Sequence, residues 1–261
     1  MHKVIRHKCF GCLLIVALVI GLMPVYFHFR YDFFNLRRPR TLMEAIAKGN
    51  VRTVEKFLQT EDFETGPSAP SYLIEAIDWL PSFFRREYTP TEEQIERRNE
   101  IIYDMVKLLI EHGADINQSG RSGDTPLIVA LSRRMPKVAH YLVEQGASVN
   151  IFNNRSDSPL MYASAEVDTI RLLLNYNAKE TINHVNVDGD SALHRAYYPE
   201  CVELLLDNGA DPTIRNNKGQ TPLEQARKNN WTDKADFLEK YMETYKTNGV
   251  DSDTLSGMQN D

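Results

Sequence analysis

Cysteine is scarce in this 261-residue chain, with 3 in all, and glycine (13) and proline (12) are sparse too. Three thiols cannot staple a small disulfide scaffold, and so little Gly and Pro excludes a collagen-like chain. A surplus of positive charge is also missing, because 30 Lys and Arg stand against 36 Asp and Glu, for a formal net charge of −6. Neutralising nucleic-acid phosphates needs a basic face, so the sequence predicts no nucleic-acid partner. Apolar residues are plentiful at 42%, too many for wholesale disorder. The average charge conceals two unlike parts. Residues 1–40 hold seven basic residues and one acid, Asp32, leaving 23 basic and 35 acidic residues for 41–261, so +6 stands beside −12.

The first part contains 19 consecutive uncharged residues, Cys9 to Phe27, behind a basic tail at 1–8. As a helix the run would be ~28 Å long, close to the ~30 Å hydrocarbon core of a bilayer. A cleaved signal peptide would need a small-x-small site, and Ala17-Leu18-Val19 and Gly21-Leu22-Met23 both lack the second small residue. Residues 9–29 are therefore expected to be an uncleaved transmembrane signal anchor in contact with the lipid bilayer, with Tyr26, Phe27, Phe29 and Tyr31 at the aromatic belt. Residues 30–40 follow as a basic juxtamembrane linker. A short basic start is expected to stay cytoplasmic. Together with the compact layout, this predicts a bacterial inner-membrane protein whose acidic domain is periplasmic. Positive charges on the two sides nearly balance, which keeps a cytosol-facing scaffold as the alternative.

The second part repeats itself. DTPLIVA (124–130), DSPLMYA (157–163), DSALHRA (190–196) and QTPLEQA (220–226) align, and Leu127, Leu160, Leu193 and Leu223 are 33, 33 and 30 residues apart. A second marker runs in step: HGAD (112–115), QGAS (145–148), YNAK (176–179) and NGAD (208–211). Two motifs sharing one period identify a repeat protein. Thr125, Ser158, Ser191 and Thr221 are suited to cap a helix, with Pro126, Pro159 and Pro222 in the first helical position. Gly113, Gly146 and Gly209 fall where a helix ends in the left-handed region. A helix, a turn, a second helix and an extended finger cannot bury an apolar face alone, so neighbouring units must stack.

Through these TPLHxA-like and LLxxGADxN-like segments the chain resembles the ankyrin repeat family over roughly residues 41–241. The resemblance implies an all-α solenoid of about six helix-turn-helix units, placed at 41–244 behind the membrane anchor. Residues 41–58 read as the first unit, and 71–80 with 101–117 as the second. An insertion at 81–100 separates the two halves of that second unit, and reads as a protruding loop with an extra helical turn or as an extended start to the following helix. The fourth and fifth units have the most irregular spacing and should be the least regular in the stack. Residues 245–261 are polar and expected to be a disordered tail.

Chemistry finds little support in these residues. No GxSxG, P-loop or HExxH pattern is present. Asn186-Val-Asp188-Gly189-Asp190 resembles part of a calcium loop, but its twelfth position would be Arg195 where a bidentate Glu is required. His194 occupies the histidine position of the repeat and reads as structural. Cys201 reads as a small core residue, with no histidine beside it by spacing. The sequence thus predicts no enzyme, no cofactor, no metal and no small-molecule substrate.

Binding of an unidentified protein finds more support. Two positions after each core Leu, about 200° around the helix, a side chain should point away from the stack. That column reads Glu44, Glu75, Val129, Tyr162, Arg195 and Gln225. The resemblance implies that the column and the fingers form the concave recognition surface, the fingers adding Arg121, Phe152, Asn153, Asn154 and Lys218, with Tyr197 and Tyr198 at a clipped turn. An inhibitor or immunity partner of a secreted toxin or enzyme is the alternative role. The charge of −12 suggests a basic partner surface.

Overall fold

The computed structural model describes residues 41–60, 71–78 and 91–247, all helix, turn and loop among the described residues. The basic start at 1–8, the anchor expected at 9–29, the basic linker at 30–40 and residues 248–261 lie outside them; of the tail expected at 245–261, residues 245–247 instead belong to the last helix. Among the described residues no helix is long and apolar enough to cross a membrane.

Helices come in pairs. The first of each pair are α1 (Leu42–Ala47), α3 (Tyr72–Ile77), α5 (Pro126–Ser132), α7 (Pro159–Tyr162), α9 (Ala192–Arg195) and α11 (Pro222–Lys228). Their partners are α2 (Val51–Thr60), α4 (Glu92–Glu111), α6 (Pro136–Glu144), α8 (Val167–Asn175), α10 (Pro199–Asp207) and α12 (Thr232–Thr247). Each first helix packs on the next first helix and each second helix on the next second helix, giving two layers. The core lies between them: Leu127, Ala130, Leu160, Leu193 and Ala226 are fully buried from the first helices, and Leu109, Leu142, Leu173, Leu205 and Leu238 from the second.

Local chemistry sets the ends of the helices. The Thr125 and Ser158 hydroxyls accept the N–H groups of Ile128 and Met161 at 3.3 and 3.2 Å, satisfying donors that have no partner inside the helix. Thr221 and Glu224 cap each other reciprocally. The second helices end at Gly113, Gly146 and Gly209, with φ of 88, 95 and 94°, and at Asn177, with φ of 73°. Helices α7 and α9 have 4 residues each against 7 in α5, as the irregular spacing predicted. A 3-10 turn at Ala178–Thr181 lengthens the finger after α8. Of the inserted segment, residues 91–100 form an extended start of α4, which begins at a Thr91/Gln94 capping box and runs for 20 residues; residues 81–90, where a protruding loop was expected, lie outside the described ones.

Candidate protein-recognition face

The first helices and fingers share one side of the stack. Fingers repeat one tight turn in which the N–H of Gly120, Asn153, Asn186 or Asn216 donates to the carbonyl four residues on, at 3.0 to 3.2 Å. The fourth residue of each turn is left-handed: Gly123, Ser156, Gly189 and Gly219. In the last three fingers an Asn amide organises the turn. The Oδ1 of Asn153 accepts the N–H groups of Arg155 and Asp157, and Asn186 and Asn216 do the same in their own turns. Each Nδ2 then reaches back one repeat: Asn153 to Asp124 at 2.8 Å, Asn186 to Asp157 at 2.7 Å, Asn216 to Asp190 at 2.9 Å. A second ladder joins the bases of the fingers, where Asn117 Oδ1 accepts from the Ser148 N–H and Asn183 Oδ1 from the Asp211 N–H.

This ladder takes up several of the expected recognition residues. Asn153 is buried in it, because its amide must satisfy the turn and bridge to the previous repeat at once. The Asn154 side chain donates to the Arg121 carbonyl at 3.0 Å and so fastens one finger to the next. Phe152 stacks on His184, ring centroids 3.9 Å apart, which spends its face within the fingers. Tyr162 donates its hydroxyl to Asp157 Oδ2 at 3.1 Å, Arg195 donates to Asp157 Oδ1 at 2.9 Å, and Gln225 donates to Asp190 at 3.2 Å. Val129 does not point to solvent as the helical angle predicted; at 9% exposed it is buried. Glu75, Arg121, Arg195 and Lys218 are exposed, and Tyr197 and Tyr198 are each 50% exposed.

Asp157 itself is 1% exposed. Burial alone would raise its carboxyl, but the Asn186 amide, the Arg195 guanidinium and the Tyr162 hydroxyl together hold it below its ordinary value. His194 is likewise structural. With its Nε2 donating to the Gln220 carbonyl at 3.0 Å, its Nδ1 accepts from the Ser191 N–H at 3.2 Å, and burial keeps it below the usual histidine range. Cys201 is fully buried and its thiol is pushed up to about 11 by that burial, the opposite of an activated nucleophile.

Lys234 was not anticipated by the sequence reading. It lies in α12, 1% exposed, with its Nζ donating to the carbonyls of Leu193 and His194 at 2.9 Å each. Because α9 stops after one turn, its carbonyls need an outside donor, and the terminal helix supplies one. Burial lowers this amine to about 7.

Three adjoining clefts of about 350, 300 and 340 Å³ run along the first-helix side. The first holds Ile74, Asp78, Arg121, Val129 and Arg133. Asp78 and Arg133 are shared with the second, which adds Arg98, Arg134 and Met135. Arg134 and Met135 are shared with the third, which adds Met161, Tyr162, Arg195 and Tyr197. Beyond that, Tyr197 meets Tyr198 and Trp231 edge-on at 5.1 and 5.8 Å. The Arg133-Arg134 pair in the turn after α5 was the available sequence signal for this groove; the approach of Arg98 from the inserted segment had none.

Comparison with known proteins places this geometry. A family model described as ankyrin repeats (3 copies) matches residues 95–153 and 152–216. Among curated proteins, the nuclear factor NF-kappa-B p110 subunit of Drosophila melanogaster is 41% identical over 69 residues, 24% of this chain and 7% of that protein. The mitochondrial disaggregase of Bos taurus is 32% identical over 129 residues, 47% of this chain and 19% of that protein. The chain thus spans less than a fifth of the length of these relatives. Among solved structures, a chain in the complex of a predatory endopeptidase from Bdellovibrio bacteriovorus with an immunity protein aligns with a TM-score of 0.61 at 24% identity, covering 78% of this chain and 99% of that one. The crystal structure of the ankyrin repeat protein EF0377 aligns with a TM-score of 0.58 at 24% identity, covering 76% and 96%. At this identity both likenesses show the fold alone.

Proposed function

Since this chain belongs to the ankyrin repeat family, through repeats matched over residues 95–216, we propose that it is a non-catalytic binding protein whose partner is another protein, held along the first helices and fingers. The observation that carries the reading is the continuous groove, lined by arginine and tyrosine, residue types over-represented among interface hot spots. The buried His194 and Cys201 each have a packing or bonding role, which supports binding over chemistry.

The apolar run at 9–29 supports a single-pass anchor, and the basic start supports a bacterial inner membrane with the repeat domain on the periplasmic side. Protease added to intact spheroplasts should then remove the repeat domain; protection of that domain would establish the cytosol-facing alternative. A second reading, protection against a secreted enzyme, takes its motive from the immunity-protein complex among the structural neighbours. Cleavage by a secreted peptidase that continues unchanged in the presence of the domain would count against it.

The binding face is tested with photocrosslinking side chains at Lys218 and Gln225 on the groove side and at Arg171 on α8. Crosslinks to a partner in native membranes from the first two sites, and none from the third, are expected. Crosslinks from Arg171 alone would overturn the reading.

A further inference from the structure

The groove differs in charge from the domain that carries it. Residues 41–261 sum to −12, and the exposed side of α10 carries Glu200, Glu203 and Asp207 without a basic residue. The three clefts instead bring together five arginines, at 98, 121, 133, 134 and 195, with three acids. Two of the arginines, Arg133 and Arg195, are held in ion pairs, the second by the buried Asp157. Asp78 pairs with Arg133, Asp124 accepts from Asn153, and Glu166 accepts from the Thr169 hydroxyl. Among the described residues Arg121 and Arg134 pair with no acid. Like charges gathered in a cleft cost free energy that an anionic ligand would offset. Next to them the wall turns apolar, with Met135, Met161 and Ala163 leading to the exposed Tyr197.

We propose that this groove receives an extended acidic segment of the partner protein, its carboxylates on Arg121 and Arg134 and an adjacent apolar side chain in the cleft between Met135, Met161 and Tyr197. The proposal rests on the protein-binding reading above and reverses the basic partner suggested by the charge of the whole domain. Arginine forks suit carboxylates because two N–H groups can meet two oxygens. A protein segment fits better than anionic lipid headgroups, since a flat bilayer surface cannot enter a cleft whose apolar wall lies beside the charges. The segment should be extended, because the charged and apolar cavities lie in a row along the repeats.

The test uses the full chain in detergent and a labelled twelve-residue peptide of Glu and Leu in two-to-one ratio, followed by fluorescence anisotropy. The Glu peptide should bind with an affinity that falls steeply with salt, and a Lys and Leu peptide of the same pattern should not bind. Arg134→Glu should weaken binding about tenfold and Arg134→Gln less, while Arg171→Glu on α8 changes it less than twofold, all three keeping the helical circular dichroism of the parent. Preference for the Lys peptide, no binding of either peptide, or equal losses in Arg134→Glu and Arg171→Glu would overturn the proposal. Binding confined to phosphatidylglycerol vesicles, without the Glu peptide, would overturn it in favour of a lipid surface. If Lys218 and Gln225 still crosslink the native partner but only the Lys peptide competes, the acidic assignment fails while the binding face stands. Crosslinks solely from Arg171 would remove the face itself.

Discussion

The Asn186 amide donates to Asp157 Oδ1 at 2.7 Å across the seam between two repeats, 29 residues apart in sequence. Asp157 also takes Arg195 from the following repeat and Tyr162 from its own. One buried carboxylate therefore fixes three elements, and side chains expected to face a partner are partly spent holding the stack together.

Asp157→Ala should destabilise the domain by about 1–3 kcal/mol, because it leaves the buried Asn186 amide without its acceptor, while Arg195 stays in contact with water. Asp190→Ala should cost less, since Asp190 is only half-buried. Urea denaturation of both variants checks the order. The lowered Asp157 carboxyl adds stability that is fully present above its unfolded value and is lost as pH falls through the still lower folded one. Acid unfolding of the parent should thus be steeper than that of Asp157→Ala.

Lys234 predicts a trend of the same sign in a higher pH window. Its folded value of about 7 lies below its unfolded 10.5, so between these limits the unfolded chain binds more protons and stability rises with pH. Its neutral amine keeps two N–H groups, enough for the Leu193 and His194 carbonyls. Thermal melts from pH 6.5 to 9.5 should show the parent gaining on Lys234→Met throughout. A constant gap would show that the amine titrates normally.

Two left-handed glycines should respond differently to an added methyl group. A Cβ at Gly209 would meet nothing within 4 Å, leaving only backbone strain of about 1 kcal/mol. At Gly189 the same atom would lie 2.7 Å from the Asn217 backbone nitrogen and 2.9 Å from the Asn216 Cα. Gly189→Ala should therefore lose clearly more stability than Gly209→Ala. Equal losses in chemical denaturation would show that the fingers are not packed tightly on one another.

Leu160→Asp places a carboxylate at a fully buried position between α5 and α9 and should unfold the repeats outright. Tyr162→Phe removes only the hydroxyl bonded to Asp157 and should cost about 1 kcal/mol. A cooperative far-UV melt retained by Leu160→Asp would contradict the stacking.

Much of the fold was legible because its determinants are local. The 33-residue period, the Thr and Ser caps, the prolines after them and the glycines at 113, 146 and 209 all act within a turn or two of the chain. The exposed column was less legible. A helical angle gives the direction of Val129 or Tyr162, but not the depth of the neighbouring repeat that covers one and bonds the other. Asn153 and Asn154 read as finger surface for the same reason, since the Asp124 and Arg121 groups they meet belong to the previous repeat.

By itself the sequence determined the repeat architecture, its irregular fourth and fifth units and the division into an apolar basic start and an acidic domain. The tertiary structure decided which polar groups are spent on the stack and which remain for a partner. Each inter-repeat bond depends on how far one unit is shifted and rotated against the next, and no residue's own periodicity encodes that offset. The same offset brings Arg98 of the inserted segment into one cleft with Arg133 and buries Lys234 against the end of α9.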